Sequence, residues 1–525
     1  MIIENTEFGR IEVTDIPLPE GVDSNVNGTY TFSGRVLVAV REPEKEEDWY
    51  RVLTMDEDGT EICELFDGII RKKKGANGIR WMCYSDNKRI LLGDYVLECT
   101  PDLDHCTSSE LVEVVFPEEI SKIPGIFVRW SEPLIAPDQE HICFSSLTGN
   151  GVFNFLGKLV RQESRYVMED MCIISTVNDM EPDMDSEGFY RVNVRRGGEV
   201  KQFVKGGRGL TLAGGGNCIT ESTLQMLDTE EVAQITETLG YEETAIFSPN
   251  EKYAVCMSPR FSPETDCGVL GVVPLYYDMI TRRKYLNVLY QYAIAGVRYE
   301  KAGNIGPVLI DICRSMSEGR NYQGVDLSDP EGTWVYYSPM SWHPDSTKAM
   351  WNESTRVTEG TVKGRLRRCR LLDVQPSEPV PMVPTPEKDA IPYALPTEAA
   401  ITRMEPEYPV KIKGAGGGIV INSCIAEDTV ETRYENYSED GKTFYSGWIR
   451  VKAPANMFMP EETVIWSDIR VTGEHTGQMK LRITFLPDRR FQVHLAKGMG
   501  EDGYPKCAGF AEYDGIRRDV GNMAD

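Results

Sequence analysis

"SPMSWHPDSTKAMWNES", residues Ser338–Ser354, reads as two apolar strand segments joined by a polar corner at Pro344-Asp345, with Trp342 and Trp351 on either side. Proline presets φ for the first turn position, and Asp bonds the backbone two residues on. The stretch is therefore a hairpin with one apolar face. Such a unit is not stable alone and must recur or pack on neighbours.

It does recur. "EPLIAPDQEHICFSS" (Glu132–Ser146) and "ETAIFSPNEKYAVCMSP" (Glu243–Pro259) repeat the pattern, with Ile135, Phe247 and Trp342 each two residues before Pro137, Pro249 and Pro344. Weaker copies turn at Ser33-Gly34 and at Ser85-Asp86-Asn87. Gly34 to Asp86 and Asp86 to Asp138 are each 52 residues; Asp138 to Asn250 is 112 and Asn250 to Asp345 is 95, close to two units each. A period near fifty with four short strands per unit predicts a β-propeller of six or seven blades.

Outer hairpins are expected around the Asp-Glu-Asp-Gly turn at 56–59, at Gly197-Gly198, and between Thr281 and Lys284, with "GRLRRCRLLDV" as the outer strand of the last unit. "DTEEVAQITETLG" carries a capping-box pattern at Asp228 and Glu231, with Val232, Ile235 and Leu239 on one face. It predicts a helix inserted between blades. "GGRGLTLAGGGN" predicts a loop or a tight corner.

The predicted fold is all-β: residues 1–27 an N-terminal strand or arm, 28–375 the propeller, 376–398 a proline-rich linker or strap, and 399–525 a C-terminal antiparallel β-sandwich. The last assignment rests on a return of strand alternation broken by Ser438-Glu439-Asp440-Gly441 and by a Pro-Asp turn at 487–488.

The repeat corners resemble those of the TolB-like, WD40-like propellers known as PD40 repeats, whose usual form is an apolar residue, then Ser-Pro-Asp-Gly-Lys, then a hydrophobic strand. "FSPNEK", "WHPDST" and "APDQEH" match in the Pro-Asp/Asn and flanking apolar positions, and none keeps the Gly. The resemblance implies a propeller over about 28–375 and says little about activity, because propellers host many functions.

The chain has 525 residues and a formal charge of −26. That surface repels phosphate backbones and anionic lipids, so neither nucleic acid nor membrane is an expected partner. The N-terminus lacks a signal-peptide pattern. The odd count of 13 Cys, scattered without C-x-x-C, fits free thiols in a reducing cytoplasm. Self-association through the C-terminal domain is left open.

No G-x-S-x-G elbow and no phosphate-binding loop occurs. Oligogalacturonate lyases, propellers of the same broad repeat class, use a His-rich metal site, but this chain has only five His. No cofactor is expected, and a divalent metal held by His141, His343 and carboxylates is a minor alternative.

In a four-strand meander the Pro-Asp corners face one end of the channel. Residues before the first strand and after the second face the other end, where a ligand is expected. This rule selects Arg41 and Asp94, Arg129, Glu132 and Glu243, and Arg260, Asn352 and Glu353, while Ser145 and Ser146 also follow a second strand. His343 is read as a corner residue.

Among these, Arg260 is assigned to a substrate carboxylate or oxyanion, and Glu353 or Glu132 to the base; Arg129, Asn352, Arg41, Asp94 and Glu243 would bind substrate. The expected function is a cytosolic enzyme acting on a small polar, sugar-derived substrate by elimination or hydrolysis. The alternative is a non-catalytic binding platform.

Overall fold

A computed structural model describes residues 1–22, 26–42, 44–75, 79–148, 151–214, 221–238, 241–262, 288–357, 362–404, 407–452, 462–488 and 492–523. Its strands form six four-stranded antiparallel units in chain order. Unit 1 spans Val26–Tyr30 to Cys63–Ile69, unit 2 Met82–Cys83 to Ser108–Val115, and unit 3 Ile126–Ile135 to Arg165–Ile173. Unit 4 spans Glu199–Val204 to Val232–Gln234, and unit 5 Thr244–Phe247 to Val325–Asp326. Unit 6 contains Trp334–Trp342, Lys348–Thr355 and Gly364–Leu371, and takes its fourth strand, Gly9–Ile16, from the N-terminus.

Six separate hydrophobic clusters fill the spaces between successive units, including units 6 and 1. Each sheet is thus buried on both faces by its neighbours, which is propeller packing. The first strands of units 3, 4, 5, 6 and 1 touch in that order. Asn352 stitches the closure: its Oδ1 accepts from the Gly28 N–H at 2.9 Å, and its Nδ2 donates to the carbonyls of Gly28 (3.3 Å) and Pro339 (2.9 Å).

Five of the six corners share one geometry. In each, the residue before the turn accepts from the residue three on, as in His343 O from Ser346 N at 2.9 Å, Ser248 O from Glu251 N at 2.8 Å and Ala136 O from Gln139 N at 2.9 Å. The position after the Asp or Asn is left-handed at Asn87, Gln139, Glu251 and Ser346, and Gly34 takes that place in unit 1. Only Gly fits at 34: a Cβ there would lie 2.4 Å from His343 Nε2.

The proline-rich segment is a strap across these corners. Ser377 N donates to Asp345 O (3.1 Å), Val380 N to Pro249 O (2.8 Å), Val383 N to Gly206 O (3.0 Å) and Thr385 N to Asp138 Oδ2 (3.1 Å), visiting units 6, 5, 4 and 3 in turn. Leu395–Pro396 then pairs with the outer strand of unit 3.

Two expectations fail here, and a third is not confirmed. Residues 228–239 are not helical where described: Val232–Gln234 is the outer strand of unit 4, paired with Ser222–Met226. Ile235 is fully buried between units 4 and 5, so the need for a fourth strand outweighs local helix capping. Second, Glu199–Val204, read as half of an outer hairpin, is the inner strand of unit 4, whose corner is Lys205-Gly206-Gly207-Arg208.

The C-terminal sandwich is not confirmed: the described strands from Val410–Lys413 to Ile516–Asp519 pair within one hydrogen-bonded sheet. They form one continuous antiparallel meander, extended by the hairpin Met180–Pro182/Tyr190–Val192 that leaves the propeller between units 3 and 4. Long, register-matched strands such as Thr443–Lys452 and Thr463–Gly473 keep pairing edge to edge. The outer hairpin expected at 281–284 lies outside the described residues.

After the second strand of unit 5 the chain makes an insertion that includes a π-helical run, Tyr290–Ala295, continued by the α-helix Gly296–Tyr299. Its residues share one core with units 5 and 6 and the C-terminal sheet, and the Tyr292 and Phe485 rings meet edge to face at 5.8 Å. The connection lies at the end opposite the Pro-Asp corners. The helix and the C-terminal sheet therefore cover the channel mouth.

Candidate functional site

Charged side chains collect beneath that helix. Arg80 precedes the first strand of unit 2, Glu132 lies on that of unit 3, Glu199 and Lys201 on that of unit 4, and Glu243 precedes that of unit 5. On Glu199–Val204, residues 199 and 201 alternate with buried Val200, so one strand face sends both charges inward. Lys201 Nζ is 3.0 Å from Glu199, 3.4 Å from Glu132 and 3.5 Å from Glu243. Arg80 pairs with Glu132. Ser131 Oγ donates to Glu199 at 2.7 Å.

These groups sit deep in the protein yet keep open surface: 29% for Arg80, 22% for Glu199, 18% for Glu243 and 10% for Glu132. Charged walls with residual open surface in a molecule's interior mark a cavity rather than a packed core. Tyr336, on the first strand of unit 6, is fully buried, and among the described residues neither its hydroxyl nor Glu243 Oε2 has a hydrogen-bond partner. Tyr290 and Arg298 of the inserted helix act electrostatically on the same groups.

The field is mixed. Burial opposes the charge on Glu199, but Lys201, the Ser131 hydroxyl and Arg80 outweigh it and hold the carboxyl below its ordinary range. Burial lowers the Arg80 pKa against the pull of Glu199 and Glu243. Burial also pushes the Tyr336 phenol well up, so it stays protonated at neutral pH.

The structure brings only Glu132 and Glu243 of the sequence candidates to this cluster. The expected Arg260–Glu353 pair does not form. Arg260 grips the fully buried Glu242 through Nε (3.1 Å) and Nη2 (2.8 Å) and donates to the Gln323 carbonyl at 3.0 Å. Glu353 is held by Arg365 Nη2 at 2.6 Å and by Trp351 Nε1 at 2.8 Å. Equivalent strand ends carry these residues into spaces between sheets, where each needs its own counter-charge.

Asn352 is the closure stitch described above. Asp94 accepts from Trp130 Nε1 and from Arg129 Nη2, both at 3.3 Å, and from Lys73 N at 2.8 Å, and Arg129 lies over the Phe116 ring. Those two tie units 2 and 3 together. Arg41 is exposed at the end of its strand. Ser145 and Ser146 bond Asn154 and the Arg129 carbonyl.

His141 and His343 are not brought together. Each serves its own corner, with Nδ1 2.8 Å from Asp138 and 2.8 Å from Asp345. Among the described residues, ligand atoms of Glu300, Asp488 and His494 lie within 4.8 Å of one another where the inserted helix meets the C-terminal sheet. They are cross-bonded there, with Gln492 Nε2 donating to Glu300 (3.0 Å) and Asp488 (3.2 Å).

Sequence reasoning missed Arg80, Glu199, Lys201, Tyr290, Arg298 and Tyr336. Arg80 was within reach of the same rule that selects Glu243, because both lie within two residues of the start of a first strand. Glu199 and Lys201 were hidden by the misassigned strand, and Arg298 by a helix no periodicity announced.

Fold and site together define an all-β propeller protein with a cluster of charged side chains gathered from four of its units. No protein-family model matches the chain, and no curated protein matches it. Among solved structures it is similar to TolB from Acinetobacter baumannii, at 13% identity, 70% of this chain, 67% of that one and TM-score 0.29. It is also similar to a prolyl endopeptidase (9% identity, 91% and 56% coverage, TM-score 0.29) and to prolyl oligopeptidase B from Galerina marginata (10% identity, 85% and 46% coverage, TM-score 0.29). The chain thus spans about half the length of those peptidases.

Proposed function

We propose that the six units are the blades of one ring and that its covered channel binds a small, polar, sugar-derived solute. The observation that carries this reading is the convergence of Arg80, Glu132, Glu199, Lys201 and Glu243 from four units, with Glu243 Oε2 and the Tyr336 hydroxyl left without partners. A solute rich in hydroxyl groups supplies donors to the carboxylates and acceptors to the cations at once. In place of Glu353, Glu243 is the general base of an elimination or hydrolysis, because one of its carboxylate oxygens has no hydrogen-bond partner among the described residues. Tyr336, kept protonated by burial, is the acid.

The test is a thermal-shift and calorimetric screen of hydroxylated solutes, followed by product analysis by NMR. Glu243→Gln should retain binding and lose turnover. Binding without product in the wild type would leave a non-catalytic binding protein, a reading favoured by the engagement of all three carboxylates by Lys201. No binding by any solute would remove the proposal.

A further inference from the structure

Arg298 is the anomaly of the channel. The chain holds 82 acidic against 56 basic residues, so a half-buried arginine ordinarily finds a carboxylate. Arg298 finds none: among the described residues its guanidinium makes no hydrogen bond or ion pair, and Nε is enclosed without an acceptor. It stacks on the Tyr337 ring, its Cζ 4.3 Å from the centroid, which fixes its plane. Val357 N holds the Arg298 carbonyl at 3.2 Å, so the helix end is anchored to unit 6.

The preceding residue of the same strand, Tyr336, is fully buried, and among the described residues its hydroxyl also lacks a partner. Arg80 lies within electrostatic range of both, pairs with Glu132 and is also pulled by Glu199 and Glu243. The three carboxylates, meanwhile, gather round Lys201 on the side of units 3, 4 and 5. The channel is therefore divided, acidic toward units 3–5 and cationic toward units 6 and 2. A guanidinium with no counter-charge offers its planar fork to carboxylate and phosphate oxygens.

We infer that Arg298, with the Tyr336 hydroxyl and Arg80, forms an anion subsite that takes the carboxylate or phosphate group of the channel ligand. The subsite rests on the reading of the channel as a ligand site and adds the ligand's charge: the solute is an acid or a phosphate ester, not a neutral sugar. Its anion lies against Arg298 while its hydroxyl groups face Glu243 and Glu199.

The full-length protein is titrated calorimetrically with inorganic phosphate and, separately, with acetate, each against sodium chloride of matched ionic strength. Saturable binding of at least one anion is expected. Arg298→Met should weaken it roughly ten- to a hundred-fold, the span of one or two charge-assisted hydrogen bonds. Tyr336→Phe should weaken it several-fold. Arg41→Met, which removes the same charge from an exposed strand end, should leave it unchanged.

Phosphate binding alone assigns a phosphate ester, and acetate binding alone a carboxylic acid. If Arg298→Met does not fold, Arg298→Lys replaces it, keeping charge but losing the fork; it should retain part of the phosphate affinity and little of the acetate affinity. Equal affinity of wild type and Arg298 variants, or no binding beyond that of chloride, overturns the subsite. If hydroxylated solutes fail while an anion binds through Arg298, the subsite stands and the sugar reading falls. If neutral solutes bind through Glu243 and no anion does, the reverse holds.

Discussion

Replacing Arg260 by Met should cost stability and spare the channel. Both nitrogens that Arg260 gives to Glu242 are within 3.1 Å of carboxylate oxygens, and the two side chains keep 3% and 0% exposure. Glu221 is fully buried close by, its carboxyl raised well above the ordinary range by burial and then by the charge of Glu242. Methionine fills similar volume but strands Glu242 beside Glu221 without a cation. Breaking a buried pair from one side costs about 3–5 kcal/mol.

A carboxyl whose folded pKa is raised contributes stability that is fully present below its unfolded value, near 4.3, and lost as pH rises. The deficit of Arg260→Met should thus be small at pH 4.5 and grow by up to about 1.4 kcal/mol per pH unit until the folded pKa is reached. Urea unfolding followed by tryptophan fluorescence at pH 4.5, 6 and 7.5 measures it. Arg260→Met/Glu242→Gln should recover most of the loss at pH 7.5. A deficit independent of pH, or wild-type stability with loss of anion binding in the channel, would refute the structural role.

Other perturbations follow the same logic. Glu221→Gln should stabilise the protein at pH 7.5 and be neutral below pH 4.5, since a raised folded pKa penalises the native state only above the unfolded value; paired melts at the two pH values decide it. Gly34→Ala combines φ +89° with a Cβ 2.4 Å from His343 Nε2, and should cost about 2–3 kcal/mol, partly restored by His343→Ala, as read by urea midpoints. Asn352→Leu removes two bonds across the ring closure and one within unit 6 and leaves the Gly28 N–H unpaired, costing about 2–3 kcal/mol by the same assay. Cys313 and Cys424 are exposed and should alkylate in the native protein, whereas Cys83 and Cys369, both pushed up to about 12 by burial, should react only on unfolding; peptide mapping by mass spectrometry reports both.

The sequence by itself determined the repeated unit. Pro-Asp and Pro-Asn at 137, 249 and 344 are turn chemistry, local in origin, and the apolar alternation around them demands sheets with buried faces. Local rules also marked the strap, because proline density is legible without neighbours. The end of the channel expected to hold ligand followed from meander geometry and selected Glu132 and Glu243.

Only the tertiary structure decided which charges face a cavity and which face another sheet. Arg260, Asn352 and Glu353 satisfy the same positional rule as Glu243, yet their partners Glu242, Gly28 and Arg365 capture them. A hydrogen bond to a residue hundreds of positions away, as from Asn352 to Gly28, leaves no local trace. The same holds for Val232–Gln234, a strand because unit 4 lacks one, and for Arg298, placed by a helix that packs on the C-terminal sheet. Periodicity records how a segment divides between polar and apolar surroundings; it does not record whether the polar side meets water, a counter-charge or a ligand.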